Sequence, residues 1–191
     1  MIYDFATEVT ASAPTGSNHI AFSAAIDLTG GNDGVPALFG GGHQLYMQFE
    51  VTTAFTKGTG DALAQFGVAI DDAATLAAGS SIVLGMTGGS VATKIGYEAS
   101  ELTLGARFHL AIPPFDDVME NTAGEFPHTT SASTLTAFQA LKHMGIVICN
   151  PMDVSSQNRF TAGAVKARIV TQASLGTAVL AHQYPSRSKI L

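Results

Sequence analysis

The side chains in this sequence that could do chemistry are few and scattered. Six histidines, His19, His43, His109, His128, His143 and His182, fall in no His-x-His, His-x-x-x-His or Cys-x-x-Cys spacing, so no local pair presents two ligands to one metal ion. The one cysteine, Cys149, ends an apolar segment with no cationic neighbour in sequence to lower its pKa, and the expectation is a buried, inert thiol. Asp71 and Asp72 are adjacent carboxylates. Acid–base work on one substrate needs both groups on one side of a cleft, whereas neighbours on a strand point to opposite faces, so the pair reads as a solvated turn. Gly30-Gly31-Asn32-Asp33-Gly34, with Asp27 nearby, is similar to one calcium-binding nonapeptide repeat. Such sites are completed by stacked repeats, and a single copy reads as an ordinary Asn-Asp-Gly turn. There is no phosphate loop, nucleophile elbow or dinucleotide fingerprint. The expectation is a protein without catalytic residues, metal or cofactor.

The elements that would position these groups alternate with period 2. At 107–114, Phe108, Leu110 and Ile112 alternate with Arg107, His109 and Ala111, before Pro113 and Pro114 end the segment, which predicts a strand with one face in a core. His109 is placed on its polar face, toward solvent or an interface. The same reading gives strands at 19–28, 44–51, 63–70, 81–86, 143–149 and 164–170, and a weaker one at 91–97. Leu45, Met47, Phe49, Phe66, Val68, Phe108, Leu110, Ile146 and Ile148 form the expected core. Twenty glycines without a fixed repeat suit short strands and turns, so the fold class is all-β, an antiparallel two-layer sandwich.

Two kinds of segment break the rhythm. Residues 115–142 begin with a long acidic loop and continue into Leu135, Phe138 and Leu141 at helical spacing, which predicts one loop and short-helix insertion, the helix over about 134–142. Residues 1–18 and 171–191 lack a clean period and read as extended arms flanking a sandwich domain at 19–170.

Composition narrows the function. The formal charge is −6 with nine Lys and Arg spread along the chain, which does not make the basic stripe of a nucleic-acid binder. No apolar run approaches the length of a spanning helix, and the first residues lack the basic and apolar regions of a signal peptide. Neither nucleic acid, membrane nor export is expected.

Several pieces, in order, resemble the capsid cement (decoration) proteins of tailed bacteriophages. They are Met1-Ile2-Tyr3-Asp4, Val51-Thr52-Thr53-Ala54-Phe55, 68–72 followed by Ala-Ala-Thr-Leu, Gly105-Ala106-Arg107-Phe108 running into Ile112-Pro113-Pro114, and Phe160-Thr161-Ala162-Gly163. The resemblance implies a jelly-roll sandwich on the outside of a phage head, bridging major capsid proteins and stabilising the expanded shell. It implies a virion protein, assembled in the host bacterial cytoplasm, with the phage major capsid protein and its own copies, as dimer or trimer, for partners. Long segments at 29–43 and 115–142 and the tail after Val170 depart from the short members of that family. Ile2, Tyr3 and Phe5 at one end and Tyr184, Ile190 and Leu191 at the other are apolar groups in irregular segments, and are the expected partner contacts. A virion module binding a host receptor or carbohydrate is the alternative, weakened by the absence of Trp and the presence of only four Tyr. A jelly-roll enzyme with histidine-bound metal would need a cluster the sequence does not show.

Overall fold

The structure is a computed structural model that describes residues 7–28, 45–87, 95–112, 143–152 and 157–171. Its strands are β1 (Glu8–Ser12), β2 (Ile20–Phe22), β3 (Ile26–Asp27), β4 (Leu45–Lys57), β5 (Leu63–Asp71), β6 (Ile82–Met86), β7 (Tyr97–Glu98), β8 (Arg107–Ile112), β9 (His143–Cys149) and β10 (Phe160–Thr171). The strands pair antiparallel throughout. One sheet runs β1-β10-β4-β8. The other runs β2-β9-β5-β6, with β3 also beside β9 and β7 also beside β5.

The sheets face each other because alternation puts an apolar row on each. The first contributes Val9, Ala11, Met47, Phe49, Val51, Phe108, Leu110, Val165, Ala167 and Ile169; the second contributes Ala64, Phe66, Val68, Ile70, Met144, Ile146 and Ile148. All nine expected core residues lie there, none more than 4% exposed. The fold is the expected all-β antiparallel sandwich.

Several boundaries differ from the sequence reading, each for a non-local reason. Glu8–Ser12, expected within an arm, is the edge strand β1, with Val9 and Ala11 buried. Its small side chains give a weak pattern alone, and its register against β10 supplies the rest. The 19–28 segment is broken at residues 23–25. There the Ser23 hydroxyl accepts the Ile146 N–H (2.9 Å) while the Ser23 N–H donates to the Ile146 carbonyl (3.0 Å), so a side chain replaces one backbone acceptor. β4 continues past the expected exit at 52, because Phe55 turns inward and packs edge-on against Phe160 (5.3 Å between ring centres). Gly163, at φ 148°, makes room for this ring: a Cβ there would stand 2.6 Å from a Phe55 ring carbon. The weaker strand expected at 91–97 contributes only Tyr97 and Glu98 to a described strand, residues 88–94 lying outside the described residues. The 115–142 insertion with the helix expected in it, and the chain after Thr171, also lie outside them.

Register fixes where the long segments attach. Glu8 stands opposite Arg168, Thr171 opposite Leu45, and Leu45 opposite Ile112. In the second sheet Asp27 and Asp71 flank His143. The segment before β1, the 29–44 and 113–142 spans and the segment after β10 therefore join the sandwich at one end. The opposite end carries the short 13–19 and 58–62 connections between the sheets. Asn150, 1% exposed, ties that end together. Its N–H donates to the His19 carbonyl (2.8 Å), its Oδ1 accepts the Met152 N–H (3.2 Å), and its Nδ2 donates to the Asn158 carbonyl (2.9 Å).

Phe66 lies at the centre of the core, its ring 4.6 Å from Phe108 and 5.6 Å from Phe49, centre to centre. Replacing it with alanine is expected to cost about 3–5 kcal/mol, read as a lower urea midpoint with unchanged slope by far-ultraviolet dichroism. A loss below about 1 kcal/mol would show that the neighbouring rings close the gap.

Candidate functional site

The alternation that sends apolar residues inward on the first sheet sends polar ones outward, and register lines them up across four strands. One row is Glu8, Arg168, Gln48 and His109; the next is Thr10, Lys166, Glu50 and Arg107. Side chains directly opposite on neighbouring strands are within reach of each other, and here they form two connected groups. Arg107 Nε donates to Glu50 Oε2 (2.9 Å), while Lys166 Nζ lies 3.6 Å from Glu8 and 3.9 Å from Glu50. Arg168 Nε donates to Gln48 Oε1 (3.0 Å). An open depression of about 250 Å³ lies over this face, lined by Glu8, Gln48, Glu50, Arg107, Lys166 and Arg168 among others.

His109 corrects an expectation. It lies on the outward side of β8, yet is 4% exposed, with Nε2 3.3 Å from Gln48 Nε2. Arginine only donates, so the Gln48 atom facing Arg168 is the oxygen and the one facing His109 is the amide nitrogen. Gln48 therefore donates to His109 Nε2, which leaves that nitrogen the acceptor of a neutral ring. The face is the expected one and the burial is not, because a period-2 pattern assigns a face but not what covers it.

Asp71 is the second correction. Asp72 is exposed as expected of a turn, but Asp71 is 3% exposed. Its Oδ2 accepts from the Ser81 hydroxyl (2.8 Å) and its Oδ1 from the Ala73 N–H (3.0 Å), bracing the 72–81 loop. Burial alone would raise its pKa, but the Ala73 N–H, the Ser81 hydroxyl and further hydrogen bonds outweigh it and hold the carboxyl below its ordinary value. His143, across the ladder from Asp71, donates through Nδ1 to the Asp72 carbonyl (3.2 Å). The arrangement ties a loop to strand ends.

Cys149 is 1% exposed, and burial pushes its thiol up to about 12. Among the described residues no three His, Cys, Asp or Glu are grouped to hold a metal ion. His43, His128, His182 and the 30–34 turn lie outside those residues, as do the expected contacts Ile2, Tyr3, Phe5, Tyr184, Ile190 and Leu191. The polar rows are not legible as a site in the sequence because each strand shows only its own one or two members. Their signal was the pairing of charge with alternation in three segments, Gln48 and Glu50, Arg107 and His109, Lys166 and Arg168.

No protein-family model matches the chain, and no curated protein matches it either.

Two outcomes follow from these groups. Asp71→Ala leaves the Ala73 N–H and the Ser81 hydroxyl without their acceptor and is expected to cost about 1–3 kcal/mol at pH 7. Because the folded pKa is depressed, that stabilisation is present above the unfolded value of about 4 and is lost as pH falls through the lower folded value. The gap between wild type and variant in urea titrations should therefore shrink steadily below pH 4; a constant gap would rule out the carboxylate as its source. For Cys149, a thiol reagent at pH 8 should label only the unfolded protein, and rapid native labelling would contradict its burial.

Proposed function

We propose that the protein is a virion structural protein that binds the outside of a phage capsid and cements neighbouring major capsid proteins, stabilising the expanded head. The observation that carries this is the grouping of attachment points at one end of the sandwich: both chain ends and the two longest spans between strands join it there. A body whose long segments are attached at one end, with short, hydrogen-bonded connections at the other, suits a protein that grips a surface by several segments at once. Weak contacts made together multiply into firm attachment because the second and later contacts form intramolecularly.

The strand order supports the jelly-roll part of the resemblance. β1 with β10, β2 with β9, β4 with β8 and β5 with β6 are successive pairs of one antiparallel ribbon wrapped over two layers. The described pieces that carry the resemblance fall on the body of this ribbon: 51–55 in β4, 68–72 at the end of β5, 105–108 entering β8 and 160–163 opening β10. In this reading Ile2, Tyr3, Phe5, Tyr184, Ile190 and Leu191 meet the major capsid protein or other copies of the chain, in a dimer or trimer at a local symmetry axis. The protein acts on the capsid exterior and without catalysis.

The test is rebinding to expanded shells that lack the protein. The intact chain is expected to saturate them and raise the temperature at which they lose their contents. Deleting 1–5 or 184–191 should leave a folded sandwich that binds about tenfold or more weakly, as loss of one linked contact predicts. Failure of the intact chain to bind any shell of the phage that encodes it would end the reading. Full binding and protection by both truncated chains would end the assignment of contacts to the arms.

A further inference from the structure

The outward face of the first sheet differs in charge from the chain that carries it. The whole protein has fifteen Asp and Glu against nine Lys and Arg. Among the described residues of this face, Arg107, Lys166 and Arg168 stand with Glu8 and Glu50, three cations to two carboxylates, an excess of one positive charge on a chain of −6. Of the five Lys and Arg among the described residues, the other two, Lys57 and Arg159, lie at the opposite end of the sandwich.

The two arginines are held alike. Arg107 uses Nε to donate to Glu50, and Arg168 uses Nε to donate to Gln48, both acceptors being on β4 between them. A guanidinium has five N–H donors. The terminal nitrogens of both make no hydrogen bond or ion pair among the described residues, and both side chains are exposed. Anchoring through Nε orients the remaining fork before any partner arrives, and that fork matches a carboxylate in bidentate geometry. The arginines stand on strands either side of β4 and one row apart, which puts their Cα atoms roughly 12 Å from each other by ordinary sheet spacings. Two forks at that separation take two separate carboxylates.

Alternative occupants fit less well. Glu8 and Glu50 interrupt the cations, so a continuous phosphate backbone would meet a carboxylate beside each arginine, unlike the unbroken stripe that nucleic acid requires. The depression is open and spread across four strands, which suits a broad surface more than an enclosed small molecule. We propose that the outer face of the first sheet is a docking face for an acidic protein surface, with Arg107 and Arg168 each receiving a carboxylate and Lys166 adding charge between them. The inference rests on the function proposed above only in taking the partner to be a protein.

The test uses the full chain and two probes. In a nitrogen-15 titration with a tetraglutamate peptide, the Nε–H signals of Arg107 and Arg168 should shift saturably while that of Arg159 stays in place, and a DNA duplex should leave all three unmoved. Equal movement of Arg159, no movement at all, or a stronger response to DNA would overturn the proposal. With expanded shells, Arg107→Gln/Arg168→Gln should bind about tenfold more weakly at low salt, the difference narrowing as salt shortens the screening length. Lys57→Gln/Arg159→Gln removes the same charge elsewhere and should bind as wild type. Arg107→Lys/Arg168→Lys keeps charge without the fork and should fall between, with matching melting curves certifying each fold. Shell binding that is the same for wild type and the Arg107→Gln/Arg168→Gln variant would sink the docking face and leave the cement function standing. Peptide binding at the two arginines by a protein that binds no shell would sink the cement function and leave the face.

Discussion

Phe66 of the second sheet packs among Phe49, Phe55 and Phe108 of the first, and against Tyr97 beside it on its own. The two layers are held at the spacing these rings set. Phe49 and Phe108 lie stacked at 4.9 Å with their planes 8° apart, and Phe66 is tilted by about 54° against both, offset and tilted arrangements that aromatic quadrupoles favour. Strand alternation converts this interior constraint into an exterior one. Once Phe49 and Phe108 point inward, Gln48, Glu50, Arg107 and His109 have no choice of side. The charged rows outside and the rings inside are two readings of one register.

That dependence explains what the sequence disclosed. β5, β8 and β9 were legible because each carries three or more apolar residues at strict alternation, enough to identify a buried face without knowing the neighbour. β1 was not, since Val9 and Ala11 are too small to mark a strand, and what makes them one is β10 alongside. The break at Ser23 was invisible for a related reason: whether a serine continues a ladder or substitutes for it depends on the amide opposite, here Ile146, more than a hundred residues away. Asp71 looked like half of an exposed pair because its partners, Ser81 and Ala73, belong to a loop whose path no local pattern predicts. Members of the candidate face were each visible as polar alternates. Their assembly into two rows needed the register of three separate pairings.

Polar groups at the two ends of the sandwich have different work. At the end with short connections, buried Asn150 joins His19, Met152 and Asn158 by backbone and amide hydrogen bonds, an arrangement that fixes loops. Toward the other end, Asp71 braces only the 72–81 loop, and the longer segments leave from the strands around it. A rigid end and an end from which chain departs give the molecule a direction, and the docking face proposed on the first sheet lies along its side.

Mechanical load follows from the same topology. Chain enters β1 and leaves β10 at one end of adjacent antiparallel strands, so tension that spreads those two segments sideways would peel β1 from β10 one row at a time, a weak mode of resistance. Tension that draws both the same way along the strands acts on β1 and β10 as a unit. It must then slide β10 past β4, the longest ladder in the molecule, running from Phe160 against Lys57 to Thr171 against Leu45. In that direction many hydrogen bonds share the force at once, along a ladder that includes the bulge where Gly163 receives the Phe55 ring. The sandwich is built to be strong under a pull along its strands and weak under one across them, the anisotropy of a rivet.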